Sequence, residues 1–234
     1  MINADQHQKT IKPVAVVRSD FSEKFGIPRQ SMLVPELEAR IELLSEFSHE
    51  EAVRGLESFS HIWLVWGFSE NEASANLTVR PPRLGGSTRV GVFASRSPFR
   101  PNGLGLSAVK LKKIEKSPDG KISLVVSGAD MLDGTPIYDI KPYIPLSDCV
   151  PDALEGYTAG TKAHKLKVVY KPEVSDALDT LGEKKQALIG ILEQDPRQTY
   201  FQEPSRIYGL AFAGFNIKFK VTENILEILD VQKL

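Results

Sequence analysis

Four short runs in this chain carry side chains able to do chemistry. Ser95-Arg96-Ser97-Pro98-Phe99-Arg100-Pro101-Asn102 sets two arginines in a Pro-rich turn. A rigid turn limits the freedom lost when a guanidinium is fixed, and Arg grips a carboxylate or phosphate through two parallel hydrogen bonds. Pro28-Arg29-Gln30 is a shorter polar turn. The run from Asp130 and Met131 to Asp133-Gly134-Thr135-Pro136 can present amides and carbonyls to an adenine or a ribose, although Asp133 also reads as an ordinary turn acid. Gln194-Asp195-Pro196-Arg197 with Tyr200 gathers a carboxylate, an arginine and a phenol at the end of a helical pattern. That set suits acid–base chemistry and phosphate contact, or simply ends the helix.

Charge is distributed unevenly around these runs. Between Glu72 and Glu115 there is no acidic residue, yet Arg80, Arg83, Arg89, Arg96, Arg100, Lys110, Lys112 and Lys113 all fall there. The whole chain has a formal net charge of −1, so the remainder is net acidic. A local positive field on a near-neutral protein points to an anionic partner held at one place. Arg96 and its turn are expected to face a ligand, with Arg80, Arg83, Arg89 and Lys110–Lys113 supplying the outer field.

Several classes are disfavoured. No apolar run reaches the length of about 18 residues that a membrane helix needs, and the opening MINADQHQKTIK has no apolar leader core. The single Cys149 cannot form an internal disulfide, which fits a reducing cytoplasm. His7, His49, His61 and His164 are scattered outside any metal-ligand spacing, so no metal is expected. His61 reads as a structural residue at a strand start. Gly103-Leu-Gly-Leu-Ser-Ala108 matches the dinucleotide pattern G-x-G-x-x-A, but it leads into a strand-like segment and lacks an acid about 20 residues on.

The elements that must position these groups are mostly strands. Val14–Val17, Ile41–Leu44, Ile62–Phe68, Val90–Ala94, Ala108–Ile114, Ile122–Val126 and Ile137–Ile140 are short, apolar or alternating, and separated by Gly, Pro and Asp turns. Many short strands with evenly spaced turns predict a closed barrel or a sandwich. One helix, Ser48–Leu56, interrupts them, with Ser48 as its cap. A second unit begins near Pro151. It reads as a strand at Lys165–Tyr170, a helix at Pro172–Leu192, and strands at Ile207–Ala213, Phe215–Val221 and Ile225–Val231.

Six blocks taken together, PRQ (28–30), AVRGLESFSHIW (52–63), VRPPRLGG (79–86), GVFASRSPFRPNGLGLS (91–107), DMLDGTPIYDIKPYIP (130–145) and EQDPR (193–197), resemble one family. It is the bacterial tRNA methyltransferases that act on N6-threonylcarbamoyladenosine beside the anticodon, at position 37. The resemblance spans nearly the whole chain.

The resemblance implies a mainly β fold: a closed single-sheet barrel at 1–150 that binds S-adenosylmethionine, and a small α+β domain at 151–234 that assists tRNA binding. It implies a cytoplasmic homodimer. Carried over, the cofactor contacts are Pro28, Arg29, Gln30, Ser69, Glu70, Arg96, Leu106, Gly128, Ala129, Asp130 and Met131. At Ser69-Glu70 the family commonly has His-Gln. Because N6 of the substrate is bonded to a carbonyl carbon, a general base is expected, at Asp195 or Tyr200. A cation for the substrate carboxylate is expected at Arg100 or Arg197. Two other readings stand beside this one: a methyltransferase of the same barrel type acting on a small molecule, and a non-catalytic RNA-binding barrel.

Overall fold

Alternation of apolar and polar residues builds the first half of the chain. In the computed structural model, residues 8–71, 74, 76–160, 165–197, 203 and 206–234 are described. Strands β1 (Ala15–Arg18) and β2 (Glu38–Leu43) are followed by helix α1 (Glu50–Val53) and strand β3 (His61–Gly67). After them come the short β4 (Thr78–Val79) and β5 (Val90–Gly91), and then β6 (Leu104–Lys116), β7 (Ile122–Ser127) and β8 (Pro136–Pro142). A closed barrel runs β1-β2-β7-β6-β3-β8, every neighbour antiparallel. Closure is made where Ala15 faces Ile137 across β1 and β8. The inward set, including Val17, Ile41, Ile62, Leu64, Val109, Leu124 and Val126, is fully buried and fills the interior.

A second sheet follows helix α2 (Pro145–Asp148). It is built from β9 (Lys167–Tyr170), helices α3 (Pro172–Asp179) and α4 (Lys184–Glu193), and strands β10 (Ile207–Phe212), β11 (Phe215–Thr222) and β12 (Ile225–Lys233). Its order is β10-β11-β12-β9, with β9 parallel to β12. The core beneath it is not drawn from the C-terminal part alone. Phe21, Val34 and Leu37, from the connection between β1 and β2, are buried among Leu178, Leu188, Leu210, Phe212, Phe219 and Leu226. Along the same connection, the Ala211 amide donates to a Glu23 carboxylate oxygen and Lys184 pairs with Asp20.

Three sequence expectations are corrected. The helix expected over Pro172–Leu192 is two helices. Apolar spacing runs on through both, but Gly182 takes φ +56° and Thr180 Oγ1 bonds back to the Ala177 carbonyl at 2.6 Å, which breaks the chain between them. Ser48 does not cap α1. Its hydroxyl accepts the Ile122 amide at 2.7 Å, and the helix ends early because Gly55 adopts φ +87°. The strand expected at Val90–Ala94 is extended only at Val90–Gly91, which pair with β4; Val92–Ala94 form a 3₁₀ turn. The Pro118-Asp119-Gly120 hairpin joins β6 to β7 as expected, with Gly120 at φ +85° and the Ser117 amide bonded to the Lys121 carbonyl.

Candidate active site

Strand β3 ends and β6 begins at one mouth of the barrel, and the mouth is a cleft of ≈ 470 Å³. That is the size of a small-molecule site. Four stretches of chain wall it: Lys24–Gln30 from the β1–β2 connection, Trp66–Asn71 after β3, Ser95–Arg100 with Leu104–Ser107, and Asp130–Leu132 with Thr135.

Gly103 and Gly105, the heart of the dinucleotide-like pattern, have other reasons to be glycine. Gly103 turns the chain into β6 with φ +58°. Gly105 lies under the Trp66 indole; a Cβ there would be 2.3 Å from Cε2. Trp66 can therefore lie across β6, edge-on to Phe68 with ring centres 4.4 Å apart. The flank of the cleft is thus aromatic and apolar, continued by Leu106, Met131 and Leu132.

Beneath this flank is a relay. Trp66 Nε1 donates to Ser107 Oγ at 3.0 Å, and Ser107 Oγ donates to Asp130 Oδ1 at 2.7 Å. Ser107 occupies an inward position of β6 and is only 2% exposed. Burial pushes the Asp130 carboxyl up to about 6, while hydrogen bonds from Ser107, its own amide and the Ser31 amide, together with the Arg96 charge, pull it down.

Cations crowd the rest of the wall. Lys24 Nζ donates to the Glu70 carbonyl at 2.7 Å and to Asn71 Oδ1 at 3.2 Å. Arg96 donates to Gln30 Oε1, which ties the 95–100 turn to the Pro28–Gln30 turn. Arg100 Nη1 donates to the Ser95 carbonyl at 3.1 Å. Arg29 reaches the C-terminal part, with Nη2 donating to the Arg197 carbonyl at 3.4 Å. Their charges are met on the cleft wall by the exposed Glu70 and the half-buried Asp130.

The cleft brings together Pro28, Arg29, Gln30, Ser69, Glu70, Arg96, Arg100, Leu106, Asp130 and Met131. Gly128 and Ala129 lie just behind it. Gly128 has φ +79° with its amide donating to the Leu37 carbonyl and its carbonyl accepting the Met32 amide, and Ala129 is packed in the barrel core. Asp195 and Arg197 also stand outside the lining. Both Asp195 oxygens are taken by Arg197, each at 2.8 Å, and Arg197 is 7% exposed. The carboxylate holds the guanidinium still further above its ordinary range. Tyr200 lies outside the described residues, as do His7 and His164. His61 sits at the far end of β3, bonded to Ser60.

Sequence reasoning missed Lys24, Trp66, Phe68, Ser107 and Thr135. Ser107 left a signal, a polar residue on the inward register that Val109 and Leu111 continue as apolar. The acid-free window also changes meaning in three dimensions. Lys112 is paired with Glu38, Lys113 with Glu115 and Lys116 with Glu50, acids brought in by β2, β6 itself and α1. Arg80 and Arg89 are exposed and have no acidic partner among the described residues.

An S-adenosylmethionine-sized cofactor fits these residues. The volume is adequate, the apolar flank suits an adenine, the cations suit a carboxylate, and Asp130 and Glu70 suit positive groups. Comparison with known proteins points the same way. Residues 16–149 match the family described as tRNA-methyltransferase O N-terminal domain, and residues 163–234 match TrmO C-terminal domain. The tRNA (adenine(37)-N6)-methyltransferase of Escherichia coli is 39% identical over 226 residues, covering 94% of this chain and 96% of that protein. A Pseudomonas aeruginosa protein with a name that points to S-adenosylmethionine-dependent methyl transfer is 39% identical over 230 residues, covering 95% and 97%. The crystal structure of TrmO from the same organism superposes with a TM-score of 0.80 at 33% identity, covering 97% of this chain and 98% of that one.

Proposed function

The chain belongs to the tRNA-methyltransferase O family, and on that premise we propose that it methylates N6 of adenosine 37 in tRNA using S-adenosylmethionine. We propose further that the adenosine already carries the N6-threonylcarbamoyl group, and that the enzyme works as a cytoplasmic homodimer. Phe93, Phe99 and Leu106 stay exposed on the turn and strand that border the cleft, which is consistent with a second subunit near it. The observation that carries the reading is the cleft in which an apolar flank, a cluster of cations and a half-buried carboxylate meet.

S-adenosylmethionine supplies, when bound, a methyl group already activated for transfer. The residues of the chain have to hold it, orient the acceptor and receive a proton. Trp66, Leu106, Met131 and Leu132 would cover its apolar part, and Arg29, Gln30 and Arg96 its carboxylate. Arg100 lines the cleft and keeps N–H groups free beyond its bond to Ser95, so it is the cation proposed for the substrate threonine carboxylate. Arg197, buried against Asp195, is proposed to hold Arg29 in place instead. The N6 lone pair is delocalised into the adjoining carbonyl, so its proton must leave as the new bond forms. A base is worth about 10²–10⁴-fold in such a step. Asp195, released from Arg197 when RNA docks, or Tyr200 is proposed to take that proton.

Incubation of the protein with S-adenosylmethionine and threonylcarbamoylated tRNA, followed by digestion and mass spectrometry, tests the substrate. The expected product is methylated threonylcarbamoyladenosine; an unmodified digest refutes the assignment. For the base, Asp195→Asn is expected to lower single-turnover methylation even at saturating cofactor, where any loosening of Arg197 and Arg29 no longer limits binding. Unchanged turnover sinks the role of Asp195.

A further inference from the structure

We infer that Asp130 is the partner of the cofactor's sulfonium, so that the cleft tells charged cofactor from spent product by one unit of charge. The inference rests on the S-adenosylmethionine reading above.

The argument is one of charge complementarity. S-adenosylmethionine carries a carboxylate, an ammonium and a sulfonium; the product S-adenosylhomocysteine differs in losing the sulfonium charge along with the methyl group. The wall that must accept a sulfonium holds Lys24, Arg29, Arg96 and Arg100, each of which repels it. Two acids offset them. Glu70 lies exposed at the rim, where water screens it. Asp130 is half-buried in the wall beside Met131 and is joined through Ser107 to Trp66, so water screens it less than it screens Glu70.

Asp130 is also built to stay put and to stay charged when a cation arrives. Ser107 holds Oδ1 at 2.7 Å, and Trp66 fixes Ser107 at 3.0 Å. The Ser31 amide ties the same carboxyl to the turn that carries Arg29 and Gln30. A carboxylate costs free energy to bury without a counter-charge. Arg96 supplies part of that counter-charge; a bound sulfonium adds to it, and the neutral thioether of the product does not. The cleft is therefore expected to hold the cofactor more tightly than the product, which favours exchange after each turnover.

The consequence is visible in pH. Protonation of Asp130 near 6 removes the anion. The remaining charged groups facing it, Lys24, Arg29, Arg96, Arg100 and Glu70, meet both ligands alike, and no described histidine lines the cleft. The ligand's own ammonium is common to cofactor and product and cancels in their ratio.

Calorimetric titration of the full chain with S-adenosylmethionine, S-adenosylhomocysteine and sinefungin tests this. Sinefungin bears a protonated amine where the sulfonium stands. In Asp130→Asn, affinity for S-adenosylmethionine and sinefungin is expected to fall about ten- to a hundredfold, and that for S-adenosylhomocysteine less than about threefold. In the parent protein, S-adenosylmethionine is expected to weaken as pH drops from 7.5 to 5.5 while S-adenosylhomocysteine holds, a readout that needs no variant to fold. Equal losses for all three ligands place Asp130 on the ammonium or the adenosine and overturn the inference. A parent that binds none of the three overturns the cofactor reading itself.

Discussion

Gly105→Ala tests how the cleft is held up. The new methyl would sit 2.3 Å from Trp66 Cε2, 2.5 Å from Cζ2 and 2.7 Å from Cδ2. Ordinary carbon contacts are about 3.5–4.0 Å, so the indole must retreat by roughly 1 Å or more. It has little room. Trp66 is 8% exposed, packed on Phe68 and bonded to Ser107. Overpacking of this kind costs about 1–3 kcal/mol. Pulling Nε1 from Ser107 leaves a buried donor unpaired, about 1–3 kcal/mol more. The lower chain entropy of unfolded Ala returns about 0.5–1 kcal/mol. The net loss is about 1–5 kcal/mol, or roughly 2–20 °C in Tm for a chain of this length. Thermal unfolding followed by tryptophan fluorescence measures it. Replacing Trp66 as well, in Gly105→Ala/Trp66→Leu, is expected to recover part of the loss because the methyl then has space. A single variant that melts with the parent, with an unshifted emission maximum, refutes the close-approach argument.

Other outcomes follow from the same structure. Asp130 is raised from 3.8 to about 6 in the folded protein, so the fold is favoured below pH 4 and loses that contribution as pH rises through 6. Two units correspond to about 2–3 kcal/mol. Asp130→Asn is therefore expected to unfold at higher urea than the parent at pH 7.5, and the gap to close near pH 4; a gap independent of pH refutes the burial argument. Because Lys113 is already paired with Glu115, Lys113→Ala is expected to leave tRNA affinity within about twofold. Arg89 and Arg80, which have no acidic partner among the described residues, are each expected to contribute about one unit to the salt slope of binding, so their replacement by Ala should lower the slope by that amount in filter-binding assays. A larger effect from Lys113 than from Arg89 would reverse this division.

The barrel was legible because its wall strands are short apolar runs, as in β3, or alternating ones, as in β2, and the turns between them carry Gly, Pro and Asp. The ligand-facing turns were legible for a different reason: Arg96, Arg100 and Arg29 stand among prolines, where a guanidinium costs little to fix. What stayed hidden depends on partners distant in sequence. Ser107 and Asp130 become a pair only when β6 and the loop after β7 meet. The neutralisation of Lys112 by Glu38 needs β2 and β6 to approach across β7 at one end of the barrel. The break at Gly182 was masked because the apolar repeat is kept on both sides of it. Asp195 looked free in sequence, and only the fold shows both its oxygens committed to Arg197.

The packing of Phe21, Val34 and Leu37 among the C-terminal side chains sets a timetable for biosynthesis. The barrel can close once β8 has left the ribosome, since its last partner is β1. The turn at Pro28–Gln30 cannot settle then, because the side chains that seat its flanks belong to α3, α4 and β10–β12. The bond between Glu23 and Ala211 spans 188 residues. The mouth of the barrel is therefore expected to mature only after β12 has emerged. A chain that stops short of β12 is expected to close its barrel yet leave the Pro28–Gln30 turn without the packing that seats it.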